Sequence, residues 1–148
     1  TTTVPWGYGA HPYFHFDDLT DVELRIPFDS ELMVDPERLL PVRLGPVSPA
    51  HDFTQPRTIG ETTLDTAFTD PFTRDWAVTL SGKDHTIEVW GEATTQWVQV
   101  FTAPLRDGVA VEPMTCGPDA FNEGPTYRDR ILLRPGDSTH ALWGVRAG

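Results

Sequence analysis

Two runs of alternating apolar and polar residues, separated by a short break, constrain the fold of this chain more than any other feature. In DWAVTLSG, Trp76, Val78 and Leu80 alternate with Ala77, Thr79 and Ser81, and HTIEVWGE resumes the pattern after Gly82-Lys83-Asp84. A period of two puts one face of a strand against a core, and a glycine-containing break between two such runs reads as a hairpin. WVQVFTA, VAVEPM, DRILLRP and ALWGVR supply four more short strand candidates. Fourteen prolines and twelve glycines are scattered over the whole chain, so no long uninterrupted helix fits between them. The expectation is an all-β protein built as an antiparallel β-sandwich. Residues 35–62 are the least regular stretch, yet Leu39, Leu40, Val42 and Leu44 make it too apolar for a disordered linker. A packed loop or a short edge strand is expected there.

At 148 residues the chain fits one domain, residues 1–148, and can bury a core without metal or disulfide staples. Its single cysteine, Cys116, excludes an internal disulfide framework and is compatible with a reducing, cytoplasmic setting. A net charge of −11, with Lys83 as the one lysine, works against a nucleic-acid partner, whose phosphates need a basic surface. No run has the length of a membrane-spanning helix, so no membrane partner is expected. The opening TTTVPWGYG has no initiator methionine and reaches a dense motif at once, as an excised or processed piece would.

Three ionisable residues occupy stiff settings. His11, in GYGAHPYFHF, lies between a small Gly-Ala pair and Pro12, which fixes its own φ and biases His11 toward extended backbone. A histidine among Tyr13, Phe14 and Phe16 can equally fill the rim of a core. Asp65 follows Leu64 and precedes Thr66-Ala67-Phe68, and Glu112 ends an apolar run immediately before Pro113. A glutamate at a strand end can be a plain solvated edge residue, but Pro113 and Pro118 stiffen the chain just past this one, as a functional carboxylate requires.

GAHPYF, LDTAFTD, QVFTAPLRDGVAVEPMTCGPDAFN and LRPGDSTHALWGVR, in that order, resemble the aldose 1-epimerases, the galactose mutarotase-like family. The resemblance runs from about Gly9 to the end of the chain, with HPYF and EPMTC as its most specific parts. It implies that the chain is part of a β-supersandwich and interconverts the α and β anomers of a free aldose such as galactose or glucose. In the family the histidine matching His11 protonates the ring oxygen, the glutamate matching Glu112 takes the proton of the anomeric hydroxyl, and the aspartate matching Asp65 holds sugar hydroxyls. No cofactor and no metal are implied. Imidazole and carboxylate suit this exchange in their own right, since ring opening needs one proton donor and one acceptor at the hemiacetal. Trp6, Tyr13, Trp97 and Phe101 are candidates to stack on the sugar, Tyr13 and Trp97 foremost.

The family pattern is about twice as long. Its first half supplies an arginine and a second histidine that have no counterpart before Trp6, and His15, His51, His85 and His140 do not sit in a matching context. Half a supersandwich would leave strand edges and an apolar face uncovered. Self-association, a second chain carrying the other half, or a rearranged compact sandwich could each compensate, and a homo-oligomer is the favoured expectation. The alternative to an enzyme is a truncated homologue that binds a carbohydrate or a protein without useful turnover. A sugar-phosphate substrate fits less well in so acidic a chain unless Arg25, Arg43, Arg57 or Arg74 converge.

Overall fold

The computed structural model describes residues 2–148. Along the chain lie β1 (Val4–Trp6), β2 (Tyr13–His15), β3 (Glu23–Arg25), β4 (Phe28–Val34), β5 (Pro41–Pro46), β6 (Arg57–Thr58) and β7 (Asp65–Pro71). They are followed by β8 (Trp76–Ser81), β9 (Thr86–Gly91), β10 (Trp97–Thr102), β11 (Gly108–Met114), β12 (Ile131–Leu133) and β13 (Trp143–Ala147), with one 3-10 turn at Tyr127–Asp129. The architecture is all-β and antiparallel, as the alternation requires. One sheet has the order β2-β11-β10-β7-β4-β5, the second β13-β9-β8-β3-β6, and β1 pairs with β12 as a short ribbon.

The expected hairpin is β8 paired with β9, Ser81 facing Thr86, and the Gly82 amide donates to the His85 carbonyl to close it. All six strand candidates read from the sequence are strands. Two central strands were not legible as such. In β4, apolar Leu32 and Val34 point one way while buried Glu31, paired with His51 Nδ1 at 2.8 Å, points the other. In β7, Thr66, Ala67, Phe68 and Thr69 are all buried, so no polar face marks the period. The irregular stretch 35–62 holds β5 at the edge of the larger sheet and β6 at the edge of the smaller, joined by packed loop.

The two sheets close on one core. Val98, Val100, Val109, Val111 and Phe68 come from the larger sheet; Leu24, Trp76, Val78, Leu80 and Val89 come from the smaller. The two sheets thus cover their main apolar faces with each other. The β5 edge remains without a neighbouring strand among the described residues, and its Val42 and Leu44 are exposed. No described helix is long and apolar enough to cross a membrane.

Pleating decides where the chemistry goes. On β10 and β11 the odd and even positions split cleanly: Val98, Val100, Val109 and Val111 enter the core, so Trp97, Gln99, Phe101, Ala110, Glu112 and Met114 share the opposite, outward face. The candidate site is built on that outward face.

Candidate active site

His11 and Glu112 meet because of strand register. β2 pairs with β11 with Tyr13 facing Ala110, and the isolated bridge of Gly9 to Met114 keeps the same register, so His11 lies opposite Glu112. Two backbone bonds bracket the position: the Ala10 amide donates to the Pro113 carbonyl at 3.1 Å, and the Val111 amide to the Pro12 carbonyl at 3.3 Å. Pro12 is tolerated because β2 is the edge strand, where a missing N–H breaks no ladder on the outer side. His11 Nε2 stands 3.3 Å from Glu112 Oε1. The imidazole is 58 % exposed and the carboxylate 14 %, so the histidine reaches out from the rim while the glutamate sits in the floor.

One row further along the sheet, Tyr13, Ala110 and Phe101 stand side by side, and Phe101 in turn faces Asp65 on β7. The Tyr13 ring stacks on His11 with centroids 5.0 Å apart and planes 21° apart, and meets Phe101 edge-on at 6.4 Å. These aromatic contacts hold the imidazole upright beside the carboxylate. Asp65 is fixed by Gln99, whose Nε2 donates to Asp65 Oδ1 at 2.7 Å. Gln99 pairs directly with Glu112 in the ladder and belongs to the site, although the sequence reading passed over it. Its one signal was position: it alternates in step with Phe101 in WVQVFTA, two residues from an aromatic already singled out.

Together these residues line a cavity of about 450 Å³ that contains His11, Tyr13, Asp65, Gln99, Phe101 and Glu112. Burial pushes the Glu112 carboxyl above its ordinary value; His11 opposes the shift and the Asp65 carboxylate adds to it. A carboxylate raised in this way is a better proton acceptor than a free one, as a general base needs to be.

Trp97 is on the same face but outside this cavity. It is only 2 % exposed, packs with Leu32 and Ala67, and is roofed by Gly117, where an added Cβ would come within 2.9 Å of its ring. It also holds the nearby Asp129 carboxyl down, against a burial that raises it more. Where stacking on a sugar was expected, the structure has a buried support beneath the cavity, because the loop after Met114 folds over the indole. Trp6 lies in the β1–β12 ribbon and does not line the cavity either. None of Arg25, Arg43, Arg57 and Arg74 lines it; Arg57 instead lies over the Phe53 ring and donates to the Ala50 and Asp52 carbonyls. No described group of three or more His, Cys, Asp or Glu residues is arranged to hold a metal.

The antiparallel two-sheet sandwich is the fold of the galactose mutarotase-like proteins. The family model for aldose 1-epimerase matches residues 1–143, and the chain belongs to that family. The uncharacterized protein YihR of Escherichia coli K12 is 34 % identical over 151 residues, a match covering 98 % of this chain and 47 % of YihR. Two solved structures share the fold. A putative aldose 1-epimerase from E. coli K12 superposes with a TM-score of 0.79 at 21 % identity, over 99 % of this chain and 51 % of that one. A galactose mutarotase-like protein from Clostridium acetobutylicum does so with a TM-score of 0.78 at 12 % identity, over 99 % and 48 %. The chain spans about half the length of these relatives.

Proposed function

We propose that this chain interconverts the α and β anomers of a free aldose, with His11 as acid and Glu112 as base. The observation that carries the reading is the 3.3 Å approach of His11 Nε2 to Glu112 Oε1 at a cavity also lined by Asp65, Gln99 and Tyr13. The two oxygens that exchange protons in a cyclic hemiacetal are bonded to the same carbon, so donor and acceptor have to stand close together. His11 gives its proton to the ring oxygen as Glu112 takes the proton of the anomeric hydroxyl. The bond from C1 to the ring oxygen breaks, leaving an aldehyde and a ring-derived hydroxyl. Rotation about the C1–C2 bond turns the other carbonyl face toward that hydroxyl, and closure with both transfers reversed yields the other anomer. Asp65, held by Gln99, accepts from sugar hydroxyls, and Tyr13 and Phe101 offer aromatic surface to the ring.

The test is polarimetric relaxation of freshly dissolved α-D-galactose and α-D-glucose with the protein and its His11→Asn and Glu112→Gln variants. Acceleration by the parent that is lost in both variants supports the reading; equal rates for all three would sink it.

A second reading, a sugar-binding or interaction module with little turnover, draws on the uncovered β5 edge with exposed Val42 and Leu44. Such an edge suits pairing with a second copy or with a chain that carries the rest of the family pattern. Calorimetric titration with the same sugars separates the two, since heat of binding without anomer exchange favours the module.

A further inference from the structure

Glu112 lies in the floor of a trough that runs across the strands of the larger sheet. To one side of it along β11 is the row of Ala110, with Tyr13 and Phe101 as its ladder partners. To the other side is the row of Met114, with Gly9 and Trp97. Successive rows on one face are two residues apart, about 7 Å, so both ridges stand within reach of a pyranose whose C1 is at the acid–base pair. The first ridge is aromatic. The second consists of Met114 together with Pro118, which follows the glycine that roofs Trp97, and both line the cavity.

Pro118 is held from both sides of its loop. Before it, Thr115 is tied to Tyr8: the Tyr8 amide donates to Thr115 Oγ1 and the Thr115 amide to the Tyr8 carbonyl, each at 2.9 Å. Gly117 is wedged, since a Cβ there would fall 2.9 Å from the Trp97 ring and 2.6 Å from the Thr126 methyl. After it, the Thr126 hydroxyl donates to the Pro118 carbonyl at 2.7 Å. Thr126 is 1 % exposed and occupies the N-cap position of the 3-10 turn Tyr127–Asp129, yet its side chain makes no capping bond. A threonine in that position ordinarily accepts from the amides of its own turn. Here the hydroxyl reaches across the loop instead, and what it secures is Pro118.

Resting on the anomer-exchanging reading of the site, we infer that Pro118 forms the wall that faces Tyr13 and Phe101 across the bound sugar, and that Thr126 is the positioning residue that sets this wall. The pyrrolidine ring gives the pyranose an apolar surface opposite the aromatic ridge, and the trough grips the ring while His11 and Glu112 act on it. Thr126 does not itself line the cavity. Its effect therefore falls on sugar binding, the same in the ground state and the transition state, and leaves the proton transfers alone.

The experiment uses Thr126→Val, which keeps the methyl against Gly117 and removes the donor, Thr126→Ser, which keeps the donor, and Pro118→Ala, which alters the wall and leaves Thr126 untouched. With D-galactose in polarimetry, Thr126→Val is expected to raise KM about fivefold, the worth of one net hydrogen bond, with kcat within about twofold of the parent. The acid limb of its pH profile stays in place. Pro118→Ala shows the same rise in KM, and Thr126→Ser returns KM to the parent value. A parent-like KM in Thr126→Val or Pro118→Ala, a serine variant no better than the valine one, or a loss carried by kcat overturns the inference and leaves the acid–base reading standing. If the parent accelerates neither galactose nor glucose, that reading fails instead, and calorimetric titration with D-galactose decides the inference by itself. Weaker binding by Thr126→Val and Pro118→Ala, restored in Thr126→Ser, supports it; equal affinities, or no binding by the parent, overturn it.

Discussion

Replacing Glu112 by glutamine changes one atom in the floor of the cleft and sets stability against activity. The amide has the shape of the carboxylate but takes no proton from the anomeric hydroxyl. A positioned base contributes about 10² to 10⁴ in rate, equivalent to roughly 3 to 5 kcal/mol of barrier, so polarimetric acceleration should fall by that factor. Stability should move the other way. Burial raises the Glu112 carboxyl above its ordinary value, and Asp65 reinforces it against the pull of His11, so the folded state disfavours the charged form. A group raised in the fold helps stability below its ordinary value and loses that contribution as pH climbs through the raised one. Parent and variant should therefore melt alike in acid, and the Glu112→Gln protein should melt higher at neutral pH. The lost ion pair with His11 does little to offset this, because an imidazole 58 % exposed leaves the pair screened by water. Calorimetric scans below the ordinary carboxylate range and at pH 7, beside polarimetry, make the check. A variant that keeps the parent rate, or that melts lower at pH 7, would refute the reasoning.

Because Glu112 must be ionised to act, kcat/KM should drop on the acid side through its raised value; Asp65→Asn removes the like charge and should move that limb to lower pH. An acid limb that stays in place in Asp65→Asn would show that the two carboxylates do not interact. Gln99→Ala frees Asp65 from its 2.7 Å bond and should raise KM several-fold while sparing kcat, whereas a loss confined to kcat would tie Gln99 to proton transfer. Trp97→Ala empties a site that is 2 % exposed and should cost about 3 to 5 kcal/mol of stability by denaturant titration; an unchanged midpoint with weaker sugar binding would put the indole on the sugar. Val42→Lys charges the free β5 edge and should lower the sedimenting mass if copies join there, and an unaltered oligomer would exclude that edge as the contact.

Much of the fold was legible because amphipathic strands declare themselves. Trp76 to Ser81 and Thr86 to Gly91 have one wet and one dry face, and their period of two survives in the sequence. β4 and β7 did not declare themselves, since both of their faces are occupied: one looks into the core, the other onto the apolar end of the cleft, and Glu31 sits buried against His51 where a solvent-facing polar residue would be expected. His11, Asp65, Tyr13 and Glu112 could be picked out from stiff local settings and from resemblance to a family. Gln99 could not, because an amide in an alternating strand looks like any outward residue until its neighbour across the ladder is known.

Local chemistry thus determined that the chain makes antiparallel strands, where its turns fall and which residue types could exchange protons. Only the tertiary structure decided which of them meet. The His11–Glu112 pair rests on the register between an edge strand and β11, residues about a hundred positions apart in sequence, and a slip of one residue would turn Glu112 into the core. The fate of Trp97 was likewise set by long-range packing: alternation put it on the face of the site, and the loop at Gly117 buried it. Side-chain direction is local and readable, whereas pairing partner and covering loop are properties of the whole chain.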